Sequence, residues 1–129
     1  MVEVYLERAE QLALARDLIR DDRSYSSATA LLSVHAAIAM NDALLLGLTG
    51  RRSMSTDHIR AVSETERACA SKRFNRHGLR HLRSLLSKKT DISYGDDSVS
   101  FETASSLANT SERFQEWAYS ILRVVERSS

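Results

Sequence analysis

Ser26 to Thr49 reads SSATALLSVHAAIAMNDALLLGLT, with Asp42 its only charge and no glycine before Gly47. Its apolar positions fall all the way round a 3.6-residue wheel, the pattern of a helix buried on most sides. Ala28, Ala30, Ala36, Ala37, Ala39 and Ala43 would let neighbouring backbones come close. Leu31, Leu32, Leu44, Leu45 and Leu46 would fill the remaining space. Ser26 or Ser27 supplies a start signal and Gly50 a stop. Such a helix runs ~35 Å, long enough to cross a bilayer. His35, Asn41 and Asp42 would then need partners in lipid, so the expectation is the central helix of a soluble bundle, with no membrane partner.

The flanking stretches carry narrower apolar stripes. Over residues 3–22, Tyr5, Ala9, Leu12, Arg16 and Ile19, with Leu6 and Ala13 beside them, share one face, while Glu3, Glu7, Glu10 and Asp17 lie mostly elsewhere. That predicts an outer-wall helix, followed by a DDRSYS turn. After the polar RRSMSTD connection, Ser55 or Thr56 can cap a short helix over 57–70, whose sparse apolar positions are Ile59, Val62 and Cys69. It is expected against the flank of the bundle. SKRFNRHG breaks the chain before a helix over 78–90, marked by Leu79, Leu82, Leu85 and Leu86. A SYGDDS loop follows, and Ser100 caps the last helix. Ala104, Leu107, Ala108, Ser111, Phe114, Ala118, Ile121, Leu122 and Val125 line its core side. The predicted fold is all-α: one domain over 1–129, an up-and-down four-helix bundle with an additional short helix.

Composition changes this picture little. A chain of 129 residues without proline is free to be helical almost throughout and can build a core without staples. A net charge of +1 gives no overall pull toward nucleic acid, so any basic surface is local. Cys69 has no second cysteine to pair with, and the N-terminus is acidic and amphipathic rather than signal-like. Both point to a cytoplasmic protein.

Local charge is more informative. Residues 67–90 hold Arg67, Lys72, Arg73, Arg76, Arg80, Arg83, Lys88 and Lys89 and no acid. At helical spacing Arg76, Arg80 and Arg83 fall together beside the leucine face, and guanidinium rows of this kind bind phosphates bidentately. Arg73, Arg76, Arg80 and Arg83 are therefore the nucleic-acid-binding candidates, against the alternative of a solvated face balanced by Glu3, Glu7 and Glu10. His77 and His81 stand four apart, but no cysteine or carboxylate nearby in sequence completes a metal site, so neither a metal nor a cofactor is expected. His35 and Asp42 lie ~10 Å apart along their helix, too far for a direct hydrogen bond. No glycine-rich phosphate loop, zinc-protease pattern or nucleophile elbow is present.

The long LLSVHAAIAMNDALL helix, the LL-x-KK-x4-YG segment over 85–95 and the closing helix with Ala104, Phe114, Trp117 and Ala118 together resemble the HEPN superfamily of small helical domains. The resemblance covers most of the chain. It implies a homodimer and an association with RNA or nucleotides, in a defence or toxin–antitoxin setting. Family members that cut RNA carry an Arg-x(4–6)-His motif paired across the dimer cleft: the histidine moves protons, the arginine holds phosphate and the 2′-hydroxyl attacks. Arg51 or Arg52 with His58, and Arg76 with His81, have comparable spacings. Anchoring on Tyr94 instead puts Ile92 and Ser87 where the histidine and arginine would stand. The expected function is accordingly a non-catalytic HEPN-like interaction or RNA-associated module. The alternatives are a metal-independent endoribonuclease using Arg76, His81 and Asp42, and a helical adaptor whose basic face binds an acidic protein.

Overall fold

The computed structural model describes residues 2–53, 56–94 and 98–128. Among these the chain forms α1 (Val2–Ile19), a 3-10 turn (Arg23–Tyr25), α2 (Ser26–Thr49), α3 (His58–Ser71), α4 (Leu79–Ser87), α5 (Lys89–Tyr94) and α6 (Phe101–Ser128), with no strand. The all-α expectation is met, and α2 has the limits that its apolar run predicts.

α2 is the hub. α1 and α6 pack along it most extensively, α3 to a lesser degree, and α4 lies mainly on α6. Ala30, Val34, Ala36, Ala37, Ala39, Met40, Ala43, Leu44, Leu45, Leu46 and Leu48 on α2 are buried, so it meets protein over most of its circumference, but Leu31, expected to fill core space, is 38% exposed. The segment is apolar and long enough to span a membrane by composition alone, yet it is mostly buried within the protein. From α6, Ala104, Leu107, Ala108, Ser111, Phe114, Ala118, Ile121 and Leu122 are buried, as their spacing requires.

Side-chain bonds fix the directions. Tyr119 Oη donates to Glu10, Arg16 to Ser111, and Arg20 to Asn109 and Glu112, so α1 and α6 run antiparallel. Ser111 Oγ in turn donates to the Ser33 carbonyl at 2.7 Å, while a Cβ on Gly47 would meet Leu122, so α2 and α6 run side by side in the same sense. The buried Arg16 thus belongs to a polar seam through Ser111 that ties the three longest helices together.

The helix ends depart from expectation in four places, the first being α1, which stops at Ile19, three residues short of the expected 22. α2 starts without a side-chain cap: Tyr25 holds the cap position, and Ser26 Oγ donates back to the Arg23 carbonyl. Asp22 has already capped the 3-10 turn by accepting from the Ser24 N–H at 2.9 Å. α3 is capped by Asp57, which accepts from the Ile59 N–H at 2.9 Å, rather than by Thr56; a carboxylate also answers the positive helix end. Ser55, the other expected cap, and residues 95–97 of the expected loop lie outside the described residues. The 78–90 helix is two: Lys88 closes α4 with a tight bond to the Leu85 carbonyl, and Ser87 Oγ donates to the Ser84 carbonyl. Gly50 does end α2 as expected, in the left-handed region at φ 72°, with its N–H on the Leu46 carbonyl.

Candidate functional site

The end of α2 and the start of α3 enclose a small polar cleft of about 160 Å³, lined by Tyr5, Asp42, Arg52, Ser53, Thr56, His58 and Ala61. Each wall has a local origin. Gly50 turns the chain out of α2 and aims Arg52 back across α1. Asp57 starts α3 so that His58 occupies its first position, one side of which faces α2. Deeper between the two helices, Thr65 Oγ1 donates to Asn41 Oδ1 at 2.8 Å, both residues being buried. That bond holds α3 in register on α2, and hence His58 beside Asp42.

The electrostatics follow from this placement. Behind the cleft, Ile38, Leu82 and Leu86 meet Asp42 and His58 from the apolar side. Burial there raises the Asp42 carboxyl above its usual range, while His58, Arg8 and Arg52 act in the opposite direction. Asp42 makes no direct hydrogen bond or ion pair among the described residues. Two guanidinium groups share the Tyr5 ring: Arg8 Cζ lies 5.3 Å from its centroid and Arg52 Cζ 5.7 Å. Such cation–π contacts hold the arginines in place while leaving their N–H groups free to donate. His35, further back along α2, is pushed below the usual histidine range by burial and by the positive charge of Lys89 and His58. The result is a cationic rim, an ionisable His/Asp pair and an apolar back wall.

The other residues singled out in the sequence fall elsewhere. Arg76 lies in the turn ahead of α4, not on it, and is exposed. Arg80 and Arg83 are exposed on α4, and Arg83 pairs with Glu66 at 3.1 Å, an acid just outside the basic stretch. Arg73 takes φ 62° just after α3, a backbone role that a binding assignment does not anticipate. Burial, with the positive charge of Arg80 and Arg113 adding to it, holds His81 below the usual histidine range. Within one chain Leu82 and Leu86 of α4 line the hollow that Asp42 borders, and Arg76 and His81 are not part of that lining. His77 is exposed in the turn, and among the described residues no three His, Cys, Asp or Glu converge as metal ligands.

Spacing along the chain gives little prominence to the Arg52–His58 pair and none to Tyr5 and Arg8 of the first helix. A signal was present: His58 and Thr65 sit seven apart, on the same face of a helix. A larger but open hollow, lined by Arg23, Phe101, Asn109 and Arg113 among others, contains no buried ionisable group. Compared with models of protein families and with characterised proteins, the chain matches none.

Proposed function

We propose that this chain is a cytoplasmic, HEPN-like helical domain that contacts RNA or nucleotide phosphate through the cleft of Arg8, Arg52 and His58. Its helices would form the up-and-down four-helix arrangement of that superfamily, with α3 as the accessory helix, and two copies would associate about a two-fold axis. The single observation that carries the reading is the pair of guanidinium groups held on the Tyr5 ring at the mouth of a small polar cleft. Arginine donors positioned in this way suit phosphate oxygens, and an adjacent aromatic ring offers a base something to stack on. The solvent-facing Arg76 and Arg80 would extend the track as secondary contacts.

The test is binding of a short single-stranded RNA over a range of salt concentrations. Replacing Arg8 and Arg52 together by glutamine should flatten the log-affinity against log-salt slope by about 0.7 for each phosphate that is no longer neutralised. The same change at Arg76 and Arg80 should do less. Unchanged affinity in the Arg8/Arg52 variant would refute the assignment.

One observation favours a catalytic second reading. His58 and a half-buried Asp42 of raised pKa border the same cleft, the arrangement of an imidazole beside an orienting carboxyl. In that reading Arg52 holds phosphate, and His58 takes the proton of the ribose 2′-hydroxyl as its oxygen attacks phosphorus. The P–O5′ bond breaks with the 5′-oxygen protonated by water, without a metal. RNA cutting in the presence of EDTA that disappears in His58→Ala would establish it. Absence of cutting by the parent protein leaves the binding module.

A further inference from the structure

α1 and α6 both pack along α2 and meet each other through side chains rather than close backbone contact, which leaves a groove of about 410 Å³ between them. Its walls carry four carboxylates, Glu10, Asp17, Glu112 and Glu116, against one guanidinium, Arg16. Arg16 is 1% exposed, bonded to Asp17 and Ser111, and is committed to the fold. Arg20 reaches over from α1 to Glu112 and Asp17. Glu116 is exposed and takes no partner among the described residues. Between the acids the surface is apolar: Leu14 lines the groove at 65% exposure and the Tyr119 ring closes the far side, while Leu18, one turn on along α1, is exposed outside that lining. Tyr119 also donates to Glu10, and burial together with that carboxylate pushes its hydroxyl pKa up to about 12.

An exposed leucine and a tyrosine ring bordered by carboxylates call for an occupant that is apolar on one side and cationic at its edge. From this we infer that the α1/α6 groove is a docking surface for an amphipathic, lysine- or arginine-rich helix of another protein. Leucine-type side chains of that helix would cover Leu14, and a cation would meet Glu116, since Asp17 and Glu112 are already engaged by Arg20 and Glu10 by Tyr119. A second copy of the chain is the poorer fit. A two-fold contact through this groove would set Glu116 and its neighbours against their own equivalents, and like charges across an interface oppose association. The groove also lies on the α1/α6 side, whereas the proposed phosphate-binding cleft is built by α2, α3 and the first turns of α1. A partner held here would leave that cleft open.

The probe is a fluorescently labelled synthetic helix of about 18 residues, ~27 Å long, with leucine on one face and lysine on the other. Two controls go with it: a scrambled peptide of the same composition that cannot form an apolar face, and a twin with glutamate in place of lysine. Anisotropy titrations should show the amphipathic cationic peptide binding at least about tenfold more tightly than either control. Leu14→Ser should weaken it about tenfold or more, and Glu116→Lys roughly three- to tenfold, more so at low salt. Both positions are exposed, and circular dichroism checks that the variants stay folded. Equal binding of the scrambled peptide would reduce the groove to a nonspecific acidic surface and overturn the proposal. Indifference to Leu14→Ser would overturn it too. So would sedimentation showing a dimer of the parent protein that Leu14→Ser dissolves, because the groove would then be covered by a second copy.

Discussion

Gly78 is where α4 leans on α6, and replacing it by alanine tests how tightly that contact is made. Its backbone is ordinary, at φ −70° and ψ −19°, so alanine meets no conformational barrier. Space is the obstacle. A Cβ there would lie 2.2 Å from Cδ2, 2.3 Å from Cγ and 2.5 Å from Cε3 of Trp117. Carbon atoms in contact prefer about 3.5–4.0 Å, so the indole must move by more than an ångström or α4 must lift. Cγ sits at the root of the side chain, and a rotation that clears it carries the whole ring. Trp117 Nε1 would then leave Asn75 Oδ1, now at 2.7 Å, at a cost of about 0.5–1.5 kcal/mol. Contact with the Phe114 ring, 5.8 Å between centroids, would be disturbed as well. Overpacking adds roughly 1–3 kcal/mol, and the stiffer unfolded chain returns about 0.4–1 kcal/mol. The net expectation for Gly78→Ala is a destabilisation of about 1–3 kcal/mol. Trp117 is the sole tryptophan, so urea unfolding followed by its fluorescence reads stability and the ring's environment together. An equally stable variant with unchanged native emission would refute the reasoning.

Three further outcomes follow from buried polar groups. The Asp42 carboxyl, raised by burial, binds its proton more tightly folded than unfolded, so stability falls as pH rises from the usual value of 3.8 to the folded value, and stays lower above it. Asp42→Asn should therefore melt higher than the parent at neutral pH, and the gap should close below that window; an asparagine variant that melts lower at neutral pH would contradict the desolvation argument. Thr29 Oγ1 is buried without a hydrogen-bond partner, so Thr29→Val should gain about 1 kcal/mol in urea unfolding. Thr65→Val strips the donor from buried Asn41 Oδ1 and should cost about 1–3 kcal/mol by the same measurement.

Periodicity made the long elements legible. α2 was readable because burial on most sides leaves apolar residues around most of its wheel, and α6 because its stripe holds over most of the length of the helix. Short-range competition at helix ends was not readable. Asp57 rather than Thr56 caps α3, and Ser87 draws on the Ser84 carbonyl where no glycine or proline marks a break. The arginine row was legible as charge but not as geometry. Arg83 finds Glu66 on a different helix, a pairing that depends on how α3 and α4 pack. The cleft was harder still. Tyr5 and Arg8 come from α1, Asp42 from α2, Arg52 from a loop and His58 from α3, and only the packing of α1 and α3 on α2 gathers them. Spacing along the chain could suggest the Arg52–His58 pair, but it could not distinguish that pair from Arg76 and His81.

The most direct measurement is nuclear magnetic resonance of the protein titrated with a short single-stranded RNA, following backbone amides and histidine side chains together. The proposed phosphate site predicts the largest shifts at Tyr5, Asp42, Arg52 and the His58 imidazole, saturating together, with smaller ones at Arg76 and Arg80. Shifts confined to α4 and its preceding turn, with the His58 signals unmoved, would contradict it.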